Sequence, residues 1–363
     1  MAGLYIHIPY CHSKCAYCDF YSRPDDGNIN RLAETIVQEF DIRSSELNET
    51  IDTIYIGGGT PSILSDTPLS IIIKGIRPST PLKEFTIEAN PEDITRDKLA
   101  IWQSLGIDRV SMGVQSLCDS ELMAVKRRHN AATALAAIRN IQNAGFSKLS
   151  CDLIYGLPEQ TADSWRDSLR RLLDTGIGHL SAYSLSLEPG TFLYTRMMQG
   201  KLRPADDDMV VELYNILIST AAEYGFQHYE ISNFAKPGHR AVHNSAYWTS
   251  VPYLGLGPAA HSFDGCVRRV NPSSIKKYLE KVPSFEIDAE SEIDRINDMI
   301  ITSLRTDAGL NLDILPADLR KKAERSARKW VNRSMLEFRN NNLVIPERHW
   351  IMADAIMRDM LIV

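Results

Sequence analysis

Leu4-Tyr5-Ile6-His7-Ile8-Pro9-Tyr10-Cys11-His12-Ser13-Lys14-Cys15-Ala16-Tyr17-Cys18 is the stretch on which the reading of the chain turns. The run Leu4–Ile8 is short, mostly apolar and stopped by Pro9, as a buried strand is. Three cysteines then fall within eight residues on the loop that leaves that strand. Thiols so closely spaced in a reducing compartment serve metal or redox chemistry rather than a disulfide framework. Two metals fit the spacing. Structural zinc needs a fourth ligand, which His7 or His12 would supply. An iron–sulfur cluster takes the three thiolates and keeps one iron without a protein ligand, and the position at a strand end favours it. Cys118, Cys151 and Cys266 are isolated and read as packing residues.

Working outward, apolar runs alternate with helical periodicity. Strands are expected at Leu4–Ile8, Thr53–Gly57, Glu84–Ala89, Arg109–Gly113, Lys148–Ile154 and His179–Ser184. Helices are expected at Ile29–Leu47, Thr95–Leu105, Ala131–Ala144 and Thr161–Leu173. Repeated strand–helix units imply a parallel sheet with helices outside, and six of them predict an α/β partial barrel, (β/α)6, rather than a full eight. Chemistry in such folds gathers at the C-terminal strand ends. The cysteine loop, Gly57-Gly58-Gly59-Thr60-Pro61, Glu88-Ala89-Asn90-Pro91, Gly113-Val114-Gln115-Ser116 and Asp152 all fall there. Singly, each reads as a tight connection or a helix cap; their shared mouth is what points to a site.

Beyond Thr191 the pattern changes. Pro204 and Asp206-Asp207-Asp208 predict a helix start running to Tyr224, with acids suited to the helix dipole. Gln227–Phe234 reads as one strand, followed by a polar turn at Lys236-Pro237-Gly238-His239. Then come His243-Asn244-Ser245-Ala246-Tyr247-Trp248 and the glycine-rich Tyr253–His261. From residue 286 the chain turns mainly helical and resembles a winged-helix module. Its basic stretch Lys321–Arg339 is diluted by nearby acids, so packing is the expected role rather than DNA contact. The division expected is 1–205 for the core, 206–285 for an accessory α/β segment and 286–363 for the C-terminal module.

Composition bounds the function classes. With 363 residues the chain can bury a core without staples, so a metal here is functional rather than structural. The net charge of −6 argues against non-specific nucleic-acid binding. No apolar run approaches the ~20 residues of a membrane span, and Met1–Pro9 lacks the basic start of a signal peptide. A soluble, cytoplasmic protein is expected.

Cys-x3-Cys-x2-Cys after the first strand, Gly-Gly-Gly-Thr-Pro after the second, Ser111-x-Gly-Val-Gln115 and Asp152-Leu-Ile-Tyr-Gly-Leu-Pro158 together resemble the radical S-adenosylmethionine (SAM) superfamily. They are most similar to its oxygen-independent coproporphyrinogen III dehydrogenase branch. Within that branch the chain resembles the HemW-type heme chaperones. Phe20 stands where the dehydrogenase carries a further cysteine, the chain starts directly at the first strand, and His243-Asn244-x-x-Tyr247 resembles an element associated with heme binding.

The resemblance implies a [4Fe–4S] cluster on Cys11, Cys15 and Cys18, with the open iron chelating SAM. It implies SAM-site roles for Tyr5, Tyr17, Gly58, Gly59, Thr60, Glu88, Gln115, Arg127 and Asp152. Glycines with free backbone N–H groups suit the methionine carboxylate, and an ionised Glu88 suits the ribose hydroxyls. The branch commonly has glycine before its arginine. Here Lys126 takes that place, so Arg127 and Arg128 both stay candidates. For heme the resemblance implies His243 as ligand, with His261 and Cys266 as alternatives. The implied function is a cytoplasmic chaperone that receives heme and passes it to acceptor proteins. The alternatives are coproporphyrinogen dehydrogenation and radical modification of heme itself.

Overall fold

The computed structural model describes residues 1–76, 80–288 and 291–362. All six expected core strands form: β1 (Ala2–Ile8), β2 (Ile51–Gly58), β3 (Glu84–Ala89), β4 (Arg109–Gln115), β5 (Lys148–Tyr155) and β6 (His179–Ser184). They lie side by side in chain order, every neighbouring pair parallel. The helices between them include α1 (Ile29–Arg43), α2 (Asp66–Gly75), α3 (Arg96–Ser104), α4 (Asp119–Ala124), α5 (Ala131–Asn143) and α6 (Ala162–Leu173). α1 ends at Arg43, four residues before the expected Leu47, and a single 3-10 turn at Ser44–Glu46 takes over.

The strand alternation decides where the core lies. Leu4, Ile6 and Ile8 of β1 share one face, and with Ile54, Ile56 and Ile87 they join Leu32 and Ile36 of α1, Ile72 of α2 and Trp102 of α3 in one apolar cluster. Tyr5, His7, Tyr55, Glu88 and Asp152 occupy the opposite face, so the concave side of the sheet is polar and aromatic. Placing carboxylates there costs desolvation energy that only hydrogen bonds or a ligand offset.

The sheet does not stop at six strands, nor does it close. After α7 (Phe192–Met198) and α8 (Asp207–Glu223), β7 (Gln227–Glu230) and β8 (Asn233–Ala235) continue it antiparallel beyond β6. The single strand expected over Gln227–Phe234 is thus two. Glu230 breaks it, because its carboxylate accepts from the Ser232 N–H and the Asn233 side chain and so stabilises a turn. At the other edge, α9 (Val242–Tyr247) leads to β9 (Tyr253–Leu256), which pairs parallel with β1. β10 (His261–Phe263), β11 (Arg268–Val270) and β12 (Glu286–Asp288) extend that edge antiparallel. The order is β12-β11-β10-β9-β1-β2-β3-β4-β5-β6-β8-β7. Strands from residues 206–285 are therefore woven into both edges of the core sheet.

The C-terminal part holds helices at Glu292–Leu304, Ala317–Val331 and Ala353–Met360 beside a small antiparallel sheet of Leu310–Asn311, Asn342–Val344 and Glu337–Arg339. Among the described residues no helix is long and apolar enough to cross a membrane.

Candidate functional site

The cysteine loop is fastened by its backbone. Cys11 N–H donates to the Arg23 carbonyl at 2.9 Å, Arg23 N–H to Pro9 at 2.8 Å and Ala16 N–H to Val125 at 3.0 Å. Ala16 is buried with Val125, Ile154, Leu157 and Leu193, and Tyr17 packs against that cluster. The three thiols are half-buried and unpaired. Burial pushes the Cys11 thiol up and the Cys18 thiol up to about 11. These sulfurs become thiolates only beside positive charge, which iron would supply.

The chain also brings a guanidinium to them. Arg127 Nη1 lies 3.4 Å from Cys15 Sγ, while Nη2 donates to Asn90 Oδ1 at 2.8 Å and to the Gly113 carbonyl at 2.6 Å. Arg128 is half exposed and faces Glu92 at 3.9 Å. The arginine turned toward the cysteine loop is therefore Arg127. Lys126 before it has φ +59°, a left-handed backbone that glycine adopts without strain.

The glycine loop packs too closely against residues 7–10 to admit side chains. A Cβ on Gly59 would lie 2.6 Å from the Tyr10 carbonyl oxygen, and one on Gly58 (φ +110°) 2.7 Å from the His7 ring. Gly58 N–H donates to Glu88 Oε2 at 3.1 Å, and the Tyr55 hydroxyl donates to Oε1 at 2.7 Å. Thr60 reaches both Cys11 Sγ, at 3.0 Å, and Asn90 Nδ2, at 3.3 Å. Desolvation, opposed by those hydrogen bonds, moves Glu88 up to about 7. Asp152 moves up to about 6 for the same reason, against a hydrogen bond from Ser181 and the charge of Arg127. Gln115 sits at φ +66°, where the β4–β5 register shifts, and its buried Oε1 has no hydrogen-bond partner. An orphaned acceptor at a strand end is a position a ligand donor satisfies.

Three thiols on one loop and the unpaired Gln115 oxygen at a neighbouring strand end fit a cluster with SAM beside it. Among the described residues no three His, Cys, Asp or Glu side chains converge as ligands of a single ion do. A multi-iron cluster does not require that, since each thiolate takes a different iron.

Tyr55 is a site residue that the motifs did not flag, while Asn90 stood there only within its strand-end run and His7 only as a zinc ligand. Asn90 follows a strand end and precedes Pro91; His7 and Tyr55 lie on the Tyr5 face of the sheet, so period-2 alternation was the available signal. Tyr5 stacks on Tyr55 with ring centres 6.2 Å apart and its hydroxyl meets His7 Nδ1 at 3.0 Å.

His243 differs from the expectation of an available imidazole. Its ring is 1% exposed, with Nδ1 2.8 Å from Thr53 Oγ1 and Nε2 2.8 Å from the Tyr247 hydroxyl. Both nitrogens are spent inside the protein, and burial moves its pKa down to about 3. Tyr247 meets Tyr253 edge to face at 4.8 Å. These two tyrosines, with Tyr5, Phe20, Tyr21 and His261, line a cavity of about 740 Å3 beside the cysteine loop. Cys266 is exposed and does not line it.

Residues 5–172 match the radical SAM superfamily. The heme chaperone HemW of Bacillus subtilis is 34% identical over 325 residues, covering 86% of this chain and 85% of its own. The heme chaperone HemW of Mycobacterium tuberculosis (strain ATCC 25618 / H37Rv) is 32% identical, covering 99% and 94%. The structure of coproporphyrinogen III oxidase (HemN) from Escherichia coli superimposes with a TM-score of 0.85 at 22% identity, covering 99% of this chain and 90% of that one; it shares the fold.

Proposed function

The chain belongs to the HemW heme-chaperone family of the radical SAM superfamily, and on that premise we propose that it is a cytoplasmic carrier that binds heme and passes it to acceptor hemoproteins. The observation that carries the reading is the cavity of about 740 Å3 beside the cysteine loop. Its volume lies within the range of small-molecule sites, roughly 300–1,000 Å3. Its wall has what a heme asks for: aromatic faces for the macrocycle, cations at Lys14 and Arg23 for the propionates, and an imidazole. Acceptor proteins would recognise the mouth of this cavity.

Cys11, Cys15 and Cys18 would hold the [4Fe–4S] cluster, which supplies one-electron chemistry beside a SAM sulfonium. The chain's own residues do the positioning. Glycine at 58 and 59 keeps the loop pressed against His7 and Tyr10, and Glu88 accepts from the Tyr55 hydroxyl and the Gly58 N–H. Gln115 offers its unpaired oxygen to a ligand donor, while Arg127 fixes the cysteine loop to β4. Tyr5 and Tyr17 bound the cofactor space, and Thr60 and Asp152 complete its polar lining. This places the cluster and SAM in support of cargo handling, with no porphyrin decarboxylation required. Phe20, exposed on the cavity wall, puts an apolar ring toward the cargo side of the loop.

The test is an anaerobic heme titration of the reconstituted protein, followed by incubation with an apo-hemoprotein. Saturation near one heme per chain and recovery of heme in the acceptor are expected. Absence of saturable binding, together with conversion of coproporphyrinogen, would replace the carrier with the enzyme.

A further inference from the structure

Iron in a carried heme needs a donor atom that faces open space, and the histidines around the cavity differ in this respect. His7 lines it, but its Nδ1 lies 3.0 Å from the Tyr5 hydroxyl and its Nε2 3.2 Å from the Tyr21 carbonyl. His243 lies behind the wall with both nitrogens bonded, as described above. His261 lines the cavity and is exposed, and no described residue hydrogen-bonds its ring nitrogens.

The backbone around His261 is unusually constrained. A Cβ on Gly255 would lie 1.9 Å from the His261 carbonyl oxygen, and one on Gly257 2.4 Å from that of His7. Glycine at both positions lets β9 and its turn press against β10 and β1. Ala259, also in the cavity wall, has φ +62°, a left-handed conformation that strains an L-residue. Close approach and strain together fix where His261 projects. Burial and the neighbouring charge of Arg268 hold its imidazole below its ordinary pKa, in the neutral form that binds metal. Facing charges agree with a dianionic cargo: Lys14 and Arg23 share the cavity with one carboxylate, Asp19.

We infer that His261 is the axial ligand of a heme seated in this cavity, and that His243 is a positioning residue that holds Tyr247 in the cavity wall. The inference rests on the heme-carrier reading above and specifies its ligand.

Hemin titration of the full-length, cluster-reconstituted chain tests it, with difference spectra and electron paramagnetic resonance separating heme from cluster. For H261G the expected outcome is a shifted Soret band, loss of the histidine-ligated signature and a Kd raised roughly tenfold or more. Added imidazole should restore the wild-type spectrum, because the position is exposed and the cavity can admit it. Tyr247→Phe, which frees His243 Nε2 without emptying the core, should keep the wild-type ligation signature. An H261G spectrum and Kd equal to wild type would overturn the inference while leaving the carrier reading intact. So would loss of the signature in His243→Gln with its retention in H261G. Failure of the wild-type chain to bind hemin saturably would remove both.

Discussion

The parallel middle of the sheet and its β9–β10 edge handle polar groups in opposite ways. In the middle, strand register buries Glu88 and Asp152 near the ends of β3 and β5, on either side of β4, leaves Gln115 Oε1 unpaired and brings Arg127 onto a thiol. Each is costly unless a bound ligand offsets it. At the edge, His261 is neutral, exposed and set in an open cavity. A group so placed costs little when empty, and its ligand can leave. The middle of the sheet thus stores more desolvation than its edge.

A buried ion pair ties the middle of the sheet to the segment that leads into that edge. Glu84 of β3 accepts from Arg109 Nε at 2.8 Å and from the N–H groups of Val242 and His243 at 3.0 and 2.9 Å. Arg109 also donates to the carbonyls of His239 and Arg240, at 3.0 and 3.1 Å.

The largest separation should come from Cys15→Ala. Reconstituted iron is expected to disappear, while heme affinity holds, because the loop is anchored through backbone bonds rather than thiols. Collapse of heme binding along with iron would dissolve the distinction between the middle of the sheet and its edge. Next is Arg109→Ala, which leaves Glu84 charged and unpaired. Denaturant unfolding should lose about 3–5 kcal/mol, with faster hydrogen exchange at 239–247. An unchanged midpoint would mean that the regions are not coupled there.

A smaller effect concerns pH. Glu88 and Asp152 titrate in the fold at about 7 and about 6, above their ordinary 4.5 and 3.8. Raised carboxyl values mean that their contribution to stability is full below about pH 4 and lost as pH climbs through 6 to 7. Asp152→Asn should flatten the lower part of that decline, gaining on the order of 2 kcal/mol at pH 8 and nothing near pH 4. Parallel wild-type and variant curves would show the middle to be less desolvated than its geometry indicates. The smallest effect is Lys126→Gly. Relief of the left-handed backbone is worth about 1 kcal/mol, partly offset by the lost contact of Nζ with the Phe192 ring, 3.4 Å from its centre. A net gain below about 1 kcal/mol in thermal unfolding is expected; a loss would give the cation–π contact the larger share.

Legibility in the sequence follows the same division. The six core strands, the cysteine loop and the glycine loop were readable because each is encoded locally, in a run, a spacing or a turn. Arg127 over Arg128 was not, since the choice depends on a backbone twist at Lys126 that no periodicity marks. The burial of His243 was not legible for a related reason. A histidine beside aromatic residues looks the same in sequence whether its nitrogens face a cavity or are taken by Thr53, 190 positions away. The glycines of Tyr253–His261 carried no reading beyond their number. Gly255 and Gly257 are sites of close packing, visible only once β9 is set against β1.

That pairing also matters during synthesis. β1 is made first, buried on both faces except for the half-buried Tyr5, and β2 covers one of its edges early. The other edge waits for β9, roughly 200 residues later, which at ribosomal speeds of about 5–20 residues per second is some 10–40 s. Throughout that interval the nascent chain carries an apolar strand with the amides and carbonyls of one edge unpaired, next to the cysteine loop. Whatever attends the emerging chain has to shield that strand until the segment with His261 arrives to cover it.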